Sequence, residues 1–196
     1  MCGRFYVPED DADETIARLV EEAGARAERL NAGPIARGEV FPTQTVAALA
    51  PNRQGKPEAF PMRWGYRLDN GKQLINTRSE TADEKPLFRE SFARRRCLIP
   101  AAWYFEWERR GSERIRYALR PKWNGPVWLM GIYRFEEGQR LPALSILTRE
   151  AAPEIRFIHD RMPAICPPEW IDDWLDPRFP AKELTSLNQP MRFEAK

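Results

Sequence analysis

The sequence predicts an α+β fold: a curled, mixed, largely antiparallel β-sheet with helices at its periphery. Three observations carry this expectation. From Cys97 onward short β-like runs follow one another, at 97–99, 103–107, 115–119, 127–135 and 144–148. Helical spacing of apolar residues is confined to a few stretches. Strands and helices show none of the βαβ alternation that builds a parallel sheet. At 196 residues the chain suits one domain over 1–196, large enough to bury about 70% of its unfolded surface without staples.

The elements follow in order. Residues 2–7 read as a short extended segment ended by Pro8. Asp11, with Glu14 three residues on, has the form of a helix cap, and Ile16, Leu19, Val20, Ala23, Ala27 and Leu30 then keep helical spacing. Residues 39–44 read as a loop pinned by Pro42, followed by a strand at 45–50, a turn at 51–56 and a strand at 59–64. Gly65 and the Asp69-Asn70-Gly71 turn come next. A short helix over 87–95 is entered at Pro86, and a last one covers 168–175. The polar tail over 185–196 receives no role.

Composition narrows the function. Against 29 acidic residues stand 31 basic ones, a net charge of +2, so no uniform positive field advertises a polyanion. The basic residues are 25 Arg and six Lys, and the planar guanidinium fork suits phosphate oxygens and stacked bases. Cys2, Cys97 and Cys166 form no CxxC pair and cannot all be bridged, which points to a reducing cytoplasm. No apolar run of about 18 residues marks a membrane span, and no charged-then-apolar leader precedes the chain. With one histidine and three scattered cysteines, no zinc-ligand spacing exists, so neither a metal nor another cofactor is expected.

Five stretches look chemical. Met1 precedes the small residue Cys2, the arrangement that methionine aminopeptidase trims, and Cys2 would then carry a free α-amine and a thiol together. Such a 1,2-aminothiol condenses with an aldehyde to an imine, which the sulfur closes into a thiazolidine. In the polar run 76–81, Asn76 offers both an acceptor and donors able to orient an α-amine. Arg4 and Arg78 are candidate phosphate ligands. Glu106 stands between Phe105 and Trp107; burial disfavours the charged form of any carboxyl, which suits this one to moving protons. His159 is the one imidazole, followed by Asp160 and by Arg161, another phosphate candidate. In the segment 61–66, Trp64 and Tyr66 resemble an exposed aromatic pair flanked by arginine, suited to stacking on unpaired bases.

Taken together these blocks resemble one family. Cys2-Gly3-Arg4, Pro42-Thr43-Gln44, Trp64-Gly65, Asn76-Thr77-Arg78-Ser79-Glu80-Thr81, Arg96-Cys97-Leu98-Ile99-Pro100 leading to Phe105-Glu106-Trp107, and His159-Asp160-Arg161-Met162-Pro163 are similar to the ordered signature of the SRAP family, the SOS response-associated peptidases. The resemblance covers residues 2 to 175. It implies the SRAP fold, a curled mixed sheet with a groove leading to the N-terminus. It also implies recognition of abasic sites in single-stranded DNA and a covalent cross-link through Cys2, as a monomer without cofactor. By the same resemblance Cys2 is the nucleophile and the agent of self-removal of residues ahead of it. Asn76 positions the N-terminus, Glu106 and His159 move protons, and Arg4, Trp64, Arg78, Thr148 and Arg161 contact DNA. The chain departs from the family pattern at Glu39-Val40-Phe41, at Thr77 and in the run Trp103-Tyr104-Phe105-Glu106-Trp107.

Two rivals stay open on the residues alone. One is a peptidase acting on other proteins with Cys2 as N-terminal nucleophile. The other is a non-catalytic single-strand-binding module resting on Arg and Trp, with a strong salt dependence and no covalent product.

Overall fold

The computed structural model of the protein describes residues 2–196; the expected loss of Met1 lies outside the described residues. Strands dominate. In chain order they are β1 (Phe5–Val7), β2 (Gly38–Val40), β3 (Thr45–Pro51), β4 (Pro57–Trp64), β5 (Tyr66–Arg67), β6 (Gln73–Leu74), β7 (Asn76–Arg78), β8 (Arg96–Ala101), β9 (Trp103–Arg110), β10 (Glu113–Pro121), β11 (Val127–Arg134), β12 (Ala143–Glu150), β13 (Arg161–Pro163), β14 (Ile165–Cys166) and β15 (Met191–Ala195). The α-helices are α1 (Glu14–Arg29), α2 (Pro86–Arg94), α3 (Ile171–Leu175) and α4 (Ala181–Thr185). No helix among the described residues is long and apolar enough to cross a membrane.

The expected α+β class and the curled, largely antiparallel sheet are both present. Strands β12, β4, β3, β8 and β11 pair in that order, and β11 pairs with β12 again, so five strands close on themselves. Closure removes the exposed edges that an open sheet would present. The β12 pairings with β4 and with β7 are parallel, while the others in this sheet are antiparallel. A second sheet, in the order β15-β10-β9-β1-β2, carries the N-terminal segment. Strands β8 and β11 approach closely at Gly131, where a Cβ would lie 2.9 Å from Ile99 Cδ1 and 3.0 Å from Cys97 Sγ. A side chain there would require Ile99 and Cys97 to shift.

Several boundaries differ from the sequence reading, each for a local reason. Helix α1 is capped by Asp13, whose side chain accepts from the amides of Thr15 and Ile16 at 3.1 Å; Asp11 pairs with Arg37 instead, at 3.3 Å. The buried stripe holds Ile16, Leu19, Val20, Ala23 and Ala27, but Leu30 caps the helix end and is 45% exposed. The expected loop over 39–44 begins only at Phe41, because Gly38–Val40 pairs with β1. The start of the polar run, 76–78, forms β7, paired with β12. The tail is not idle either: Met191–Ala195 extends the second sheet along β10.

Arg96 is the polar rivet of the core. Although only 4% exposed, its guanidinium donates to the carbonyls of Phe92 (2.9 Å), Phe179 (2.9 Å) and Asp176 (3.2 Å), joining α2 to the segment after α3. Its charge is tolerable because carbonyl dipoles surround it. Arg96→Ala should lower unfolding stability by about 3 kcal/mol, since it strands buried carbonyls and leaves a cavity; a urea titration reads this directly.

Burial also pushes the Cys97 and Cys166 thiols up from their ordinary value of 9.0. A group whose folded value is raised stabilises the fold fully below its unfolded value and loses that contribution as pH climbs past it. The urea midpoint is therefore expected to hold near pH 8 and to fall as pH rises above about 9, with C97A/C166A flattening the alkaline loss.

Candidate functional site

The site is assembled where the N-terminal segment crosses from one sheet to the other. Strand β1 is held between β2 and β9, with Phe5 opposite Val40 and Tyr104, and the Phe105 amide donates to the Arg4 carbonyl at 2.9 Å. Phe5 packs its ring 5.0 Å from Trp64. These contacts draw Cys2, three residues earlier, into full burial. From the other sheet, Asn76 Nδ2 donates to the Cys2 carbonyl at 2.9 Å. The remaining polar atom of that amide, Asn76 Oδ1, is buried and has no hydrogen-bond partner among the described residues.

Asn76 is itself held from behind. It opens β7, opposite Ile146 of β12, and the carbonyl of the preceding Ile75 accepts from both the Ile146 amide and Trp64 Nε1, each at 3.0 Å. Gly65, with φ of 116° in a region that side chains rarely adopt, turns the chain immediately after Trp64. The preceding 42–44 block grips the same tryptophan: the Thr43 amide donates to the Trp64 carbonyl at 2.8 Å, with Thr43 itself at a positive φ of 75°. A β-branched residue in that region is strained, and the strain sits at the site's support.

The second sheet contributes a carboxylate and a phenol. Residues alternate across β9, so Tyr104 and Glu106 share one face while Phe105 and Trp107 share the other. Glu106 is buried, at 5% exposure. Burial foremost, and then the negative field of Glu106, push the Cys2 thiol up to about 12. The thiol is therefore protonated at neutral pH in this form of the chain.

A third group gathers along β12 and β13. Arg161 makes a bidentate ion pair with Glu80 at 2.6 and 2.9 Å and donates to the Thr148 carbonyl at 2.8 Å. The same Arg161 supplies its backbone N–H to His159 Nδ1 at 2.9 Å. Asp160 Oδ1 lies 2.8 Å from that nitrogen as well. Since the amide proton is fixed, Nδ1 is the acceptor in the neutral ring and the imidazole proton resides on Nε2. The exposed Asp160 contact becomes an ion pair only when the ring is charged.

The outward face of β9 and β10 is cationic and aromatic. Glu39 binds Arg4 at 2.9 Å and Arg116 at 3.0 Å. Arg4 lies over the rings of Phe41 and Trp107, and Arg116 lies 3.7 Å above Phe105. Arg78 is exposed. Arg116 and Phe41 were not singled out in the sequence; the alternation that sets Arg116 opposite Trp107 on paired strands was the available signal. Among the described residues no three His, Cys, Asp or Glu side chains come together as a metal-holding group.

A sequence model described as SOS response associated peptidase (SRAP) matches residues 1–195. The chain belongs to the SRAP family. It is similar to the abasic site processing protein YoqW of Bacillus subtilis, at 33% identity over 77% of this chain and 72% of that one. YedK of Escherichia coli, named likewise, is 28% identical over 95% of this chain and 85% of its own length. The match to YoaM of Bacillus subtilis, at 33% identity, spans 71% of this chain but only 65% of that protein. The fold is shared with a crystal structure from Bacteroides thetaiotaomicron at a TM-score of 0.78 and 24% identity, covering 99% of this chain and 91% of that one.

Two expectations about this SRAP chain need correction. Segment 61–66 is not an exposed turn: Trp64 and Tyr66 are both fully buried, because Trp64 ends a strand and faces Phe5. Thr148 is also fully buried, its hydroxyl turned to the Thr77 carbonyl at 3.4 Å. Neither offers a surface to nucleic acid in this conformation. Trp64→Phe should keep the ring packing, lose the bond to Ile75 and cost about 1–2 kcal/mol, as measured by urea unfolding.

Proposed function

We propose that this SRAP chain processes abasic sites, the role carried in the names of its relatives, that it takes them in single-stranded DNA, and that it does so by a covalent thiazolidine link through Cys2 once Met1 is removed. The observation that carries the reading is the divided amide of Asn76. One atom already holds the Cys2 carbonyl, and the other is a buried acceptor without a partner among the described residues, suited to the α-amine that trimming would create.

The steps follow from the residues. His159 assists opening of the abasic sugar to its aldehyde. The Cys2 amine, oriented by Asn76, attacks the carbonyl carbon, and Glu106 transfers protons as water leaves. The sulfur then closes the ring. The same nucleophile serves self-removal of residues ahead of it, and the imine stage accounts for strand cleavage by β-elimination when closure fails. Arg4 and Arg78 bind phosphates, with Arg116 beside them, and the rings of Phe41 and Trp107 offer stacking faces; Arg161 joins only when a phosphate replaces Glu80. The monomer needs no cofactor or metal for these steps.

Intact mass after mixing with an abasic single-stranded oligonucleotide tests the reading. Wild type should appear without Met1 and with one strand attached by a heat-stable bond. Cys2→Ser should lose the heat-stable adduct while still being trapped by borohydride. Asn76→Ala should slow attack about 10²-fold by loosening its geometry, and Glu106→Gln by about 10²–10⁴-fold. Retention of Met1 in the reactive protein, or no adduct at all, would overturn it.

A further inference from the structure

Tyr104 is a polar side chain near Cys2 that the steps above leave unused. It lies in the middle of the second sheet, opposite Phe5 of β1 on one side and Leu119 of β10 on the other. Its side chain is fully buried, and its hydroxyl has no hydrogen-bond partner among the described residues. Leaving a hydroxyl dry and unpaired in a fold is costly, and phenylalanine would fill the same volume without that cost. The hydroxyl shares its face of β9 with Glu106, two residues on. The fields of Cys2 and Glu106 both act on it, and after burial they are what raise its own proton affinity, well above the ordinary value of 10.0. It therefore keeps its proton and remains a donor at any pH at which the protein works.

We propose that Tyr104 is a further positioning residue of this site: its buried O–H is the hydrogen-bond donor held for the Cys2 sulfur as that sulfur takes on charge and closes the ring. The inference rests on the thiazolidine reading. In the closing step the sulfur lone pair forms the C–S bond, the C=N π pair returns to nitrogen, and the thiol proton passes to the Glu106 carboxylate. Two influences oppose that step: the dry surroundings and the negative charge of Glu106 both disfavour a thiolate. The groups acting on the sulfur are then the backbone of Arg4, whose carbonyl lies 4.0 Å from it, Glu106 and Tyr104 from β9, and the α-amine of Cys2 itself. Among the side chains the phenol is the neutral donor, and a donor to a charged atom is worth about ten- to a hundredfold in equilibrium. Earlier, in amine attack, the phenol has no part.

The test is Tyr104→Phe, with 3-fluorotyrosine at 104 as the rescue. Thiazolidine formation is followed as the adduct that survives heat and acid denaturation, under which the open imine hydrolyses, read by intact mass with two probes, an abasic oligonucleotide and formaldehyde, across pH. Tyr104→Phe is expected to be trapped by borohydride as fast as wild type, to close the ring at least about tenfold more slowly, and to shift the closure profile to higher pH. Its thermal midpoint should equal or exceed that of wild type. Fluorotyrosine, which retains the O–H and strengthens it as a donor, should restore closure. A wild-type closure rate and pH profile in Tyr104→Phe, or a lowered midpoint, overturns the proposal. Wild type that reacts with formaldehyde but not with the abasic strand overturns the DNA reading instead, and the formaldehyde comparison still decides Tyr104.

Discussion

Everything at this site depends on the hydrogen bond from Asn76 to the Cys2 carbonyl. The N-terminal segment belongs to one sheet through β1, and Asn76 belongs to the other through β7. One amide therefore ties together two layers whose backbones are otherwise independently paired. The anchor is firm because it is buttressed in sequence and in space: Trp64 and Ile146 both bind the carbonyl just before Asn76, and Thr43 binds Trp64. A chain terminus, ordinarily the most mobile part of a domain, is in this way given a fixed place beside a buried carboxyl.

That placement makes the Cys2 thiol a poor acid: burial disfavours the thiolate, and the negative field of Glu106 adds to the penalty. Under the proposed reading the sulfur would therefore react after the nitrogen, once the carbon it meets carries positive charge.

Cations around the site are already spoken for by carboxylates. Glu39 holds Arg4 and Arg116, and Glu80 holds Arg161. The Glu39 pairs, about a third exposed, are weak in water and are screened by salt, while the Arg161 guanidinium is largely buried against Glu80. The near-balanced net charge of +2 thus coexists with a locally cationic, ring-lined face on β9 and β10.

Local patterns in the sequence determined much of this protein: the apolar stripe of α1, the run of short strands after Cys97 and the entry of α2 at Pro86, with Cys2, Asn76, Glu106 and His159 marked there as candidates. These are set by side-chain periodicity, by backbone chemistry and by what each functional group can do. What only the tertiary structure decided are the long-range matters. The same aromatic signal at Trp64 serves an exposed stack or a core ring, and the choice depends on Phe5, far away in sequence. The polar run at 76–78 and the tail at 191–195 become strands because β12 and β10 offer them free edges, which no local preference records. Tyr104 carried no sequence signal at all. Its meaning comes from burial beside groups brought from the other end of the chain, and burial is a property of the folded molecule alone.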